Sequence, residues 1–188
     1  MATSPPSNPP CVTIDSNVLI AICCKEAGRH ALADSELVNY ASRGYQFFAP
    51  GCIVSECLYV LAQKLDRDKT LTPPEHAAAL ADLCTYMGML LPPPSGDFSL
   101  TARSEQIRSG YGASRSADGV FIALAEELTA TCPTEILTFD AELAKQARRN
   151  APTVSVRVLT TVAPGSATST VAPAPIPPPP PTTIPGPP

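Results

Sequence analysis

Residues 11–20 read Cys11-Val12-Thr13-Ile14-Asp15-Ser16-Asn17-Val18-Leu19-Ile20. A β-branched apolar run ends in an acid, and cap-forming residues stand directly before a second apolar run. This pattern predicts a buried strand that feeds a helix at once. The alternation continues outward along the chain. A helix is predicted over 30–42, closed near Gly44, and Tyr45 to Ala49 forms a short strand. Pro50 suits the first turn of a helix that continues to Leu65. Further helices are expected from Pro74 to Met87, from Gly96 or Asp97 to Ser109, from a cap at Ser114 or Ser116 to Leu128, and from Ala141 to Arg149. Strands are expected at Met89 to Leu91, Glu135 to Thr138 and Thr153 to Val158. Short apolar strands alternating with helices imply an α/β fold with a mostly parallel sheet covered on both faces. Reactive groups in such folds gather beyond the carboxyl ends of the strands, where Asp15 and Asp140 fall.

The ends of the chain have a different composition. Of 23 prolines in 188 residues, four lie in residues 1–10 and eleven beyond Leu159. We therefore expect a folded domain over 11–158 between Pro-rich, disordered segments at 1–10 and 159–188, because proline fixes φ and has no N–H for a helix or ladder. The polyproline run near the end is a solvated tail or a ligand for an aromatic-lined groove. The start of the chain lacks the basic and unbroken apolar stretches of a signal peptide, and no window has the length of a membrane span, so a cytoplasmic protein without membrane contact is expected. Seven cysteines with no C-x-x-C spacing are then expected as reduced thiols packed as small hydrophobes. Neither His30 nor His76 stands near a pair of cysteines at ligand spacing, which argues against a zinc site, and phosphate-cradling glycine motifs and a nucleophile elbow are absent.

Four of the 17 acidic residues fall in unusual places. Asp15 and Asp140 each terminate an apolar strand, which suits a helix cap as well as a reactive group. Glu56 shares a helix face with Ile53, Val60 and Gln63, and Asp118 is aligned with Phe121, Ile122 and Ala125. An unpaired charge on a core-facing stripe costs several kcal/mol, on the order given by burial of single ions, so each needs a partner. Lys64 is eight residues from Glu56, a poor local partner, and Arg115 is three before Asp118, a workable one. A shared divalent cation satisfies all four acids together, since carboxylate oxygens suit Mg²⁺ or Mn²⁺. Pairing and cation binding both remain open on these residues alone.

Four strings contain these acids: VTIDSNVLIA at 12–21, PGCIVSECLYVLA at 50–62, SRSADGVFIALAEEL at 114–128 and EILTFDAEL at 135–143. Together, in this order and spacing, they resemble the signatures of PIN-domain nucleases across nearly all of 11–158. The resemblance implies a three-layer α/β/α fold and a metal-dependent ribonuclease acting on single-stranded or structured RNA. Carried over by motif, Asp15, Glu56, Asp118 and Asp140 are the expected catalytic and metal-binding acids, holding Mg²⁺ or Mn²⁺. Asn17 or Ser16 would support the first acid, and Thr138 would orient Asp140 or a water. Asparagine and serine after a strand are also ordinary caps. Glu142 is read as a favourable charge in a first helical turn. Many bacterial members resemble VapC-type toxins, which implies a homodimer and a small antitoxin protein as partners.

A net charge of -4 fits a nucleic-acid enzyme once metal neutralises four acids. Arg103, Arg108 and Arg115 before the third acid, and Lys145, Arg148 and Arg149 after the fourth, are candidate phosphate contacts or solvated helix charges. Of these, Arg115, Lys145 and Arg148 are the substrate-binding candidates. The competing reading from another class is a non-catalytic PIN-like RNA-binding or scaffold module with a polyproline recruitment tail.

Overall fold

The computed structural model describes residues 8–112 and 117–161. The expected caps Ser114 and Ser116, the candidate Arg115 and, of the Pro-rich segments, residues 1–7 and 162–188 lie outside the described residues. Strand β1 (Cys11–Ile14) is fully buried and passes through Asp15 directly into α1 (Ser16–Cys23). Then follow α2 (His30–Ser42), β2 (Gln46–Phe48), α3 (Cys52–Asp66), α4 (Pro73–Met87), α5 (Asp97–Gly110), α6 (Asp118–Thr129), β3 (Thr134–Thr138), α7 (Ala141–Asn150) and β4 (Ser155–Val158). All strand pairs are parallel, in the order β2-β1-β3-β4, with Thr13 beside Phe48 and Ile136, and Thr138 beside Val158.

Parallel strands need crossovers, and the helices supply them in two packing groups. Helix α1 packs on α2, α3 and α4, while α6 packs on α5 and α7, and both α1 and α6 reach β3. This is the three-layer arrangement. Its core joins Ile14, Leu19, Leu61, Phe121, Ile122, Ile136 and Leu137, all at most 2% exposed. At the usual ~25 cal/mol per Å² of apolar surface, each such side chain contributes about 1.5–3 kcal/mol.

Several local details differ from expectation for physical reasons. Pro50 precedes α3 rather than opening it, and the Gly51 N–H at the helix entry donates to Asp97 Oδ1 at 2.7 Å. Met89 to Leu91 is not a strand: only Leu91 bridges to Phe48, because Pro92, Pro93 and Pro94 have no N–H to continue the ladder. Helix α4 starts one residue early, at Pro73, behind a capping box between Thr72 and Glu75. Helix α6 begins at Asp118 with Ala117 at its cap. Packing also extends past Val158: Leu159 is 5% exposed, and its N–H donates to the Thr138 carbonyl at 2.7 Å. All seven cysteines are free, and Cys11, Cys23, Cys57 and Cys132 are buried. No helix among the described residues is long and apolar enough to cross a membrane.

Candidate active site

Helices that follow a parallel strand start at the strand's carboxyl end, and helices that precede one end at the opposite edge. The N-termini of α1, α3, α6 and α7 therefore all lie at one edge of the sheet, and each carries an acid. Asp15 is the N-cap of α1, Asp118 the first residue of α6, and Asp140 the N-cap of α7. Glu56 lies one turn into α3. The positive ends of the helix dipoles favour carboxylates in the first turn by about 0.3–1 kcal/mol each. All four acids line one cavity of about 330 Å³, shared with Ser16, Asn17, Tyr59, Val60 and Ala117.

A network of uncharged groups fixes Asp15. Asn17 Nδ2 donates to Asp15 Oδ2 at 2.6 Å, Ser16 Oγ donates to Oδ1 at 3.3 Å, and the Thr138 hydroxyl also donates to Oδ2. Asn17 is itself oriented, because its Oδ1 accepts from the Phe139 N–H at 2.9 Å and its Nδ2 donates to Thr138 Oγ1 at 3.1 Å. Thr138 Oγ1 further accepts from the Asp140 N–H at 2.8 Å, so one buried hydroxyl ties β1 to the end of β3. Asp140 does serve as a cap, accepting from the Glu142 N–H at 2.7 Å, and it lines the cavity as well.

Asp15 is only 6% exposed. Burial pushes its carboxyl up from the ordinary 3.8 to about 6, Asp118 and Glu56 add to the rise, and the hydrogen bonds from Thr138 and Asn17 hold it back. Glu56 is also raised, by burial and then by Asp118, against a lowering hydrogen bond from Ser16. Among the described residues neither Asp15 nor Glu56 has a cationic partner, so the ion-pair explanation of their burial is not realised there. Lys64, weighed as a partner of Glu56, instead pairs with Glu26 at 2.8 Å. The donor set fits a hard divalent cation: hard oxygen ligands, mutual repulsion and, among the described residues, no protein counter-charge on the most buried acid. The acids line a common space without converging, and among the described residues no group of three or more acid, histidine or cysteine side chains stands in ligating arrangement.

The expected phosphate contacts are placed less favourably. Lys145 Nζ is engaged by Glu142 Oε1 at 2.5 Å, and Glu142 also accepts from the Tyr111 hydroxyl at 3.0 Å. Arg148 is exposed in the last turn of α7, at the opposite end from Asp140. Arg103 grips Glu126 at 2.5 and 2.9 Å, and Arg108 grips Glu105 at 2.6 Å. Tyr59, 67% exposed in the wall of the acid cavity, was not singled out from sequence, although its place three residues after Glu56 puts it on a neighbouring part of the same helix.

The family model of the PIN domain matches residues 12–149. No curated protein matches the chain in sequence. Among solved structures, VapBC2 from Rickettsia felis, bound to a DNA fragment from its promoter, is similar with a TM-score of 0.54 at 11% identity, over 80% of this chain and 99% of that one. FitAB bound to the IR36 DNA fragment gives a TM-score of 0.53 at 19% identity, over 78% and 94%. FitAcB from Neisseria gonorrhoeae gives 0.51 at 16% identity, over 77% and 95%. At these identities the likeness is one of fold.

Proposed function

Because the chain belongs to the PIN domain family, we propose that it is a metal-dependent endoribonuclease, with the four-acid cavity as its active site. The observation that carries this reading is that Asp15, Glu56, Asp118 and Asp140, from the N-terminal parts of four helices, all line one cavity, with the most buried acid held, among the described residues, by uncharged donors. Asp15, Asp118 and Asp140 would hold Mg²⁺ or Mn²⁺, with Glu56 as a further ligand or a base. Such an ion, when bound, supplies Lewis acidity to a phosphate oxygen and makes water a better nucleophile.

The chain's own groups provide the rest. Asn17 and Thr138 keep the Asp15 carboxylate in one orientation, with its more exposed neighbours Asp118 and Asp140 across the same cavity. Glu56, raised by burial and by Asp118, is suited to accept the proton of the attacking water at a carboxylate oxygen. Hydrolysis then breaks the phosphodiester bond by attack of that water on phosphorus. The likeness to the VapBC and FitAB complexes supports a toxin of a toxin–antitoxin pair with an antitoxin partner, and a homodimeric state is part of the same proposal.

The test is cleavage of a panel of single-stranded and structured RNAs by the purified chain, with Mn²⁺, with Mg²⁺ and with chelator. Cleavage is expected only with a divalent cation, and Asp15→Asn or Asp118→Asn should abolish it while circular dichroism stays native. Cleavage that persists in chelator, or full activity in both variants, overturns the assignment.

A further inference from the structure

Ser16, Asn17 and Val60 line the acid cavity and also a second cavity of about 320 Å³ beside it. The second space differs in bringing cations to its wall. Arg29 and Lys64 enter it from the α1–α2 connection and from α3, and both contact the same carboxylate: Arg29 Nη1 lies 3.3 Å from Glu26 Oε2, and Lys64 Nζ lies 2.8 Å from Glu26 Oε1. Asp68, also in the wall, is paired to Arg67 at 3.0 Å. Two cations therefore share the single carboxylate of Glu26 at this wall, while Asp68 is engaged by Arg67 from outside the lining. Their side chains are 42% and 21% exposed, so neither is sealed off from a ligand.

Arg29 is also aimed. Its guanidinium lies 4.6 Å from the centre of the Phe139 ring, and the Phe139 backbone N–H is the group that orients Asn17. Stacking on an aromatic face pre-positions the guanidinium and leaves its N–H fork for an oxyanion. The fixed face of Phe139 thus places a cation next to the residue that positions Asp15 and directly before Asp140. A polyanion whose scissile phosphate sits among the acids carries its adjacent phosphates into neighbouring space, and among the described residues this adjoining cavity presents Arg29 and Lys64 to it.

We propose that Arg29 and Lys64 form a phosphate-binding subsite that clamps one phosphodiester of an RNA strand next to the one that is cut, displacing Glu26 from part of its contacts. The inference rests on the ribonuclease reading. It assigns substrate binding to residues at the α1–α3 side of the site rather than to Lys145 and Arg148.

The experiment measures fluorescence anisotropy of a labelled single-stranded RNA on the full chain, in chelator and across a salt series, with circular dichroism as the fold control. In Arg29→Ala/Lys64→Ala, affinity should fall on the order of tenfold, as for loss of charge-assisted hydrogen bonds. The slope of log affinity against log salt should shrink by about 0.7, the value for one phosphate of a single strand. Glu26→Gln frees both cations and should bind RNA several-fold more tightly than the parent chain, the opposite of what loss of a structural clamp would do. A double variant with the parent salt slope, or weakened binding in Glu26→Gln, overturns the subsite. If the parent chain cleaves RNA with Mn²⁺ and these variants bind as it does, only the subsite falls. If the parent chain neither binds nor cleaves RNA, the ribonuclease reading falls and the subsite with it.

Discussion

Asp15 holds a carboxylate where the fold gives it little solvent, two acidic neighbours and no cation among the described residues. Its carboxyl titrates near 6 in the folded chain against an ordinary 3.8, so the folded form takes up the proton more readily than the unfolded one. The stability this group contributes is then fully present below pH 3.8 and lost as the pH rises through 6. The gap corresponds to at most about 3 kcal/mol at 1.36 kcal/mol per unit. An asparagine fits the same network, because its oxygen accepts from Thr138 and Asn17 while its amide faces Ser16 Oγ, which can accept. In chelator, Asp15→Asn is therefore expected to unfold at higher urea than the parent chain at pH 7.5, with the advantage shrinking toward pH 4. Saturating Mn²⁺ should raise the midpoint of the parent chain more than that of the variant. Equal midpoints at both pH values would show that the charge carries no strain.

At the scale of elements, what was legible in the sequence is what local pattern controls. The strand into Asp15 follows from its β-branched apolar run and the helix over 30–42 from a helical stretch closed near Gly44, and both acids at strand ends were visible because an acid directly after a buried run is conspicuous. Glu56 and Asp118 stood out by interrupting apolar helix faces. Contacts made by packing were not legible. Arg103 pairs with Glu126 across 23 residues, and Lys64 on α3 pairs with Glu26 in the α1–α2 connection, so no local spacing separates these cations from solvated ones. Gly119 shows the same dependence on packing. It follows Asp118 in α6, where a Cβ would lie 2.8 Å from the Ser104 carbonyl oxygen and 2.9 Å from Ser104 Oγ on α5. Gly119→Ala must push α6 off α5 at the turn that presents Asp118, and overpacking of this kind costs about 1–3 kcal/mol. The variant is expected to lower both the thermal midpoint and the rate of Mn²⁺-dependent cleavage. Gly88→Ala is its control, since the nearest atom there is 3.4 Å away and φ is -65°, and it should leave both unchanged.

At the scale of the whole molecule, a chain of net charge -4 places four of its acids at helix N-termini along one edge of a parallel sheet. The last strand, parallel to β3, ends at that same edge. Leu159 is 5% exposed, and its N–H donates to the carbonyl of Thr138, whose hydroxyl joins Asp15, Asn17 and Asp140. The residue just past β4 thus bears on both core and site. A chain ending at Val158 loses this hydrogen bond and a buried leucine worth about 1.5–3 kcal/mol, so it should unfold at lower urea and cleave RNA more slowly. A chain ending at Ala163 keeps every contact described for Leu159 and should match the full chain in both measurements. If removing 164–188 instead abolishes a partner interaction, and cleavage is absent with and without those residues, the scaffold reading replaces the nuclease. If that shorter chain loses cleavage which the full chain possesses, the Pro-rich segment belongs to the working enzyme.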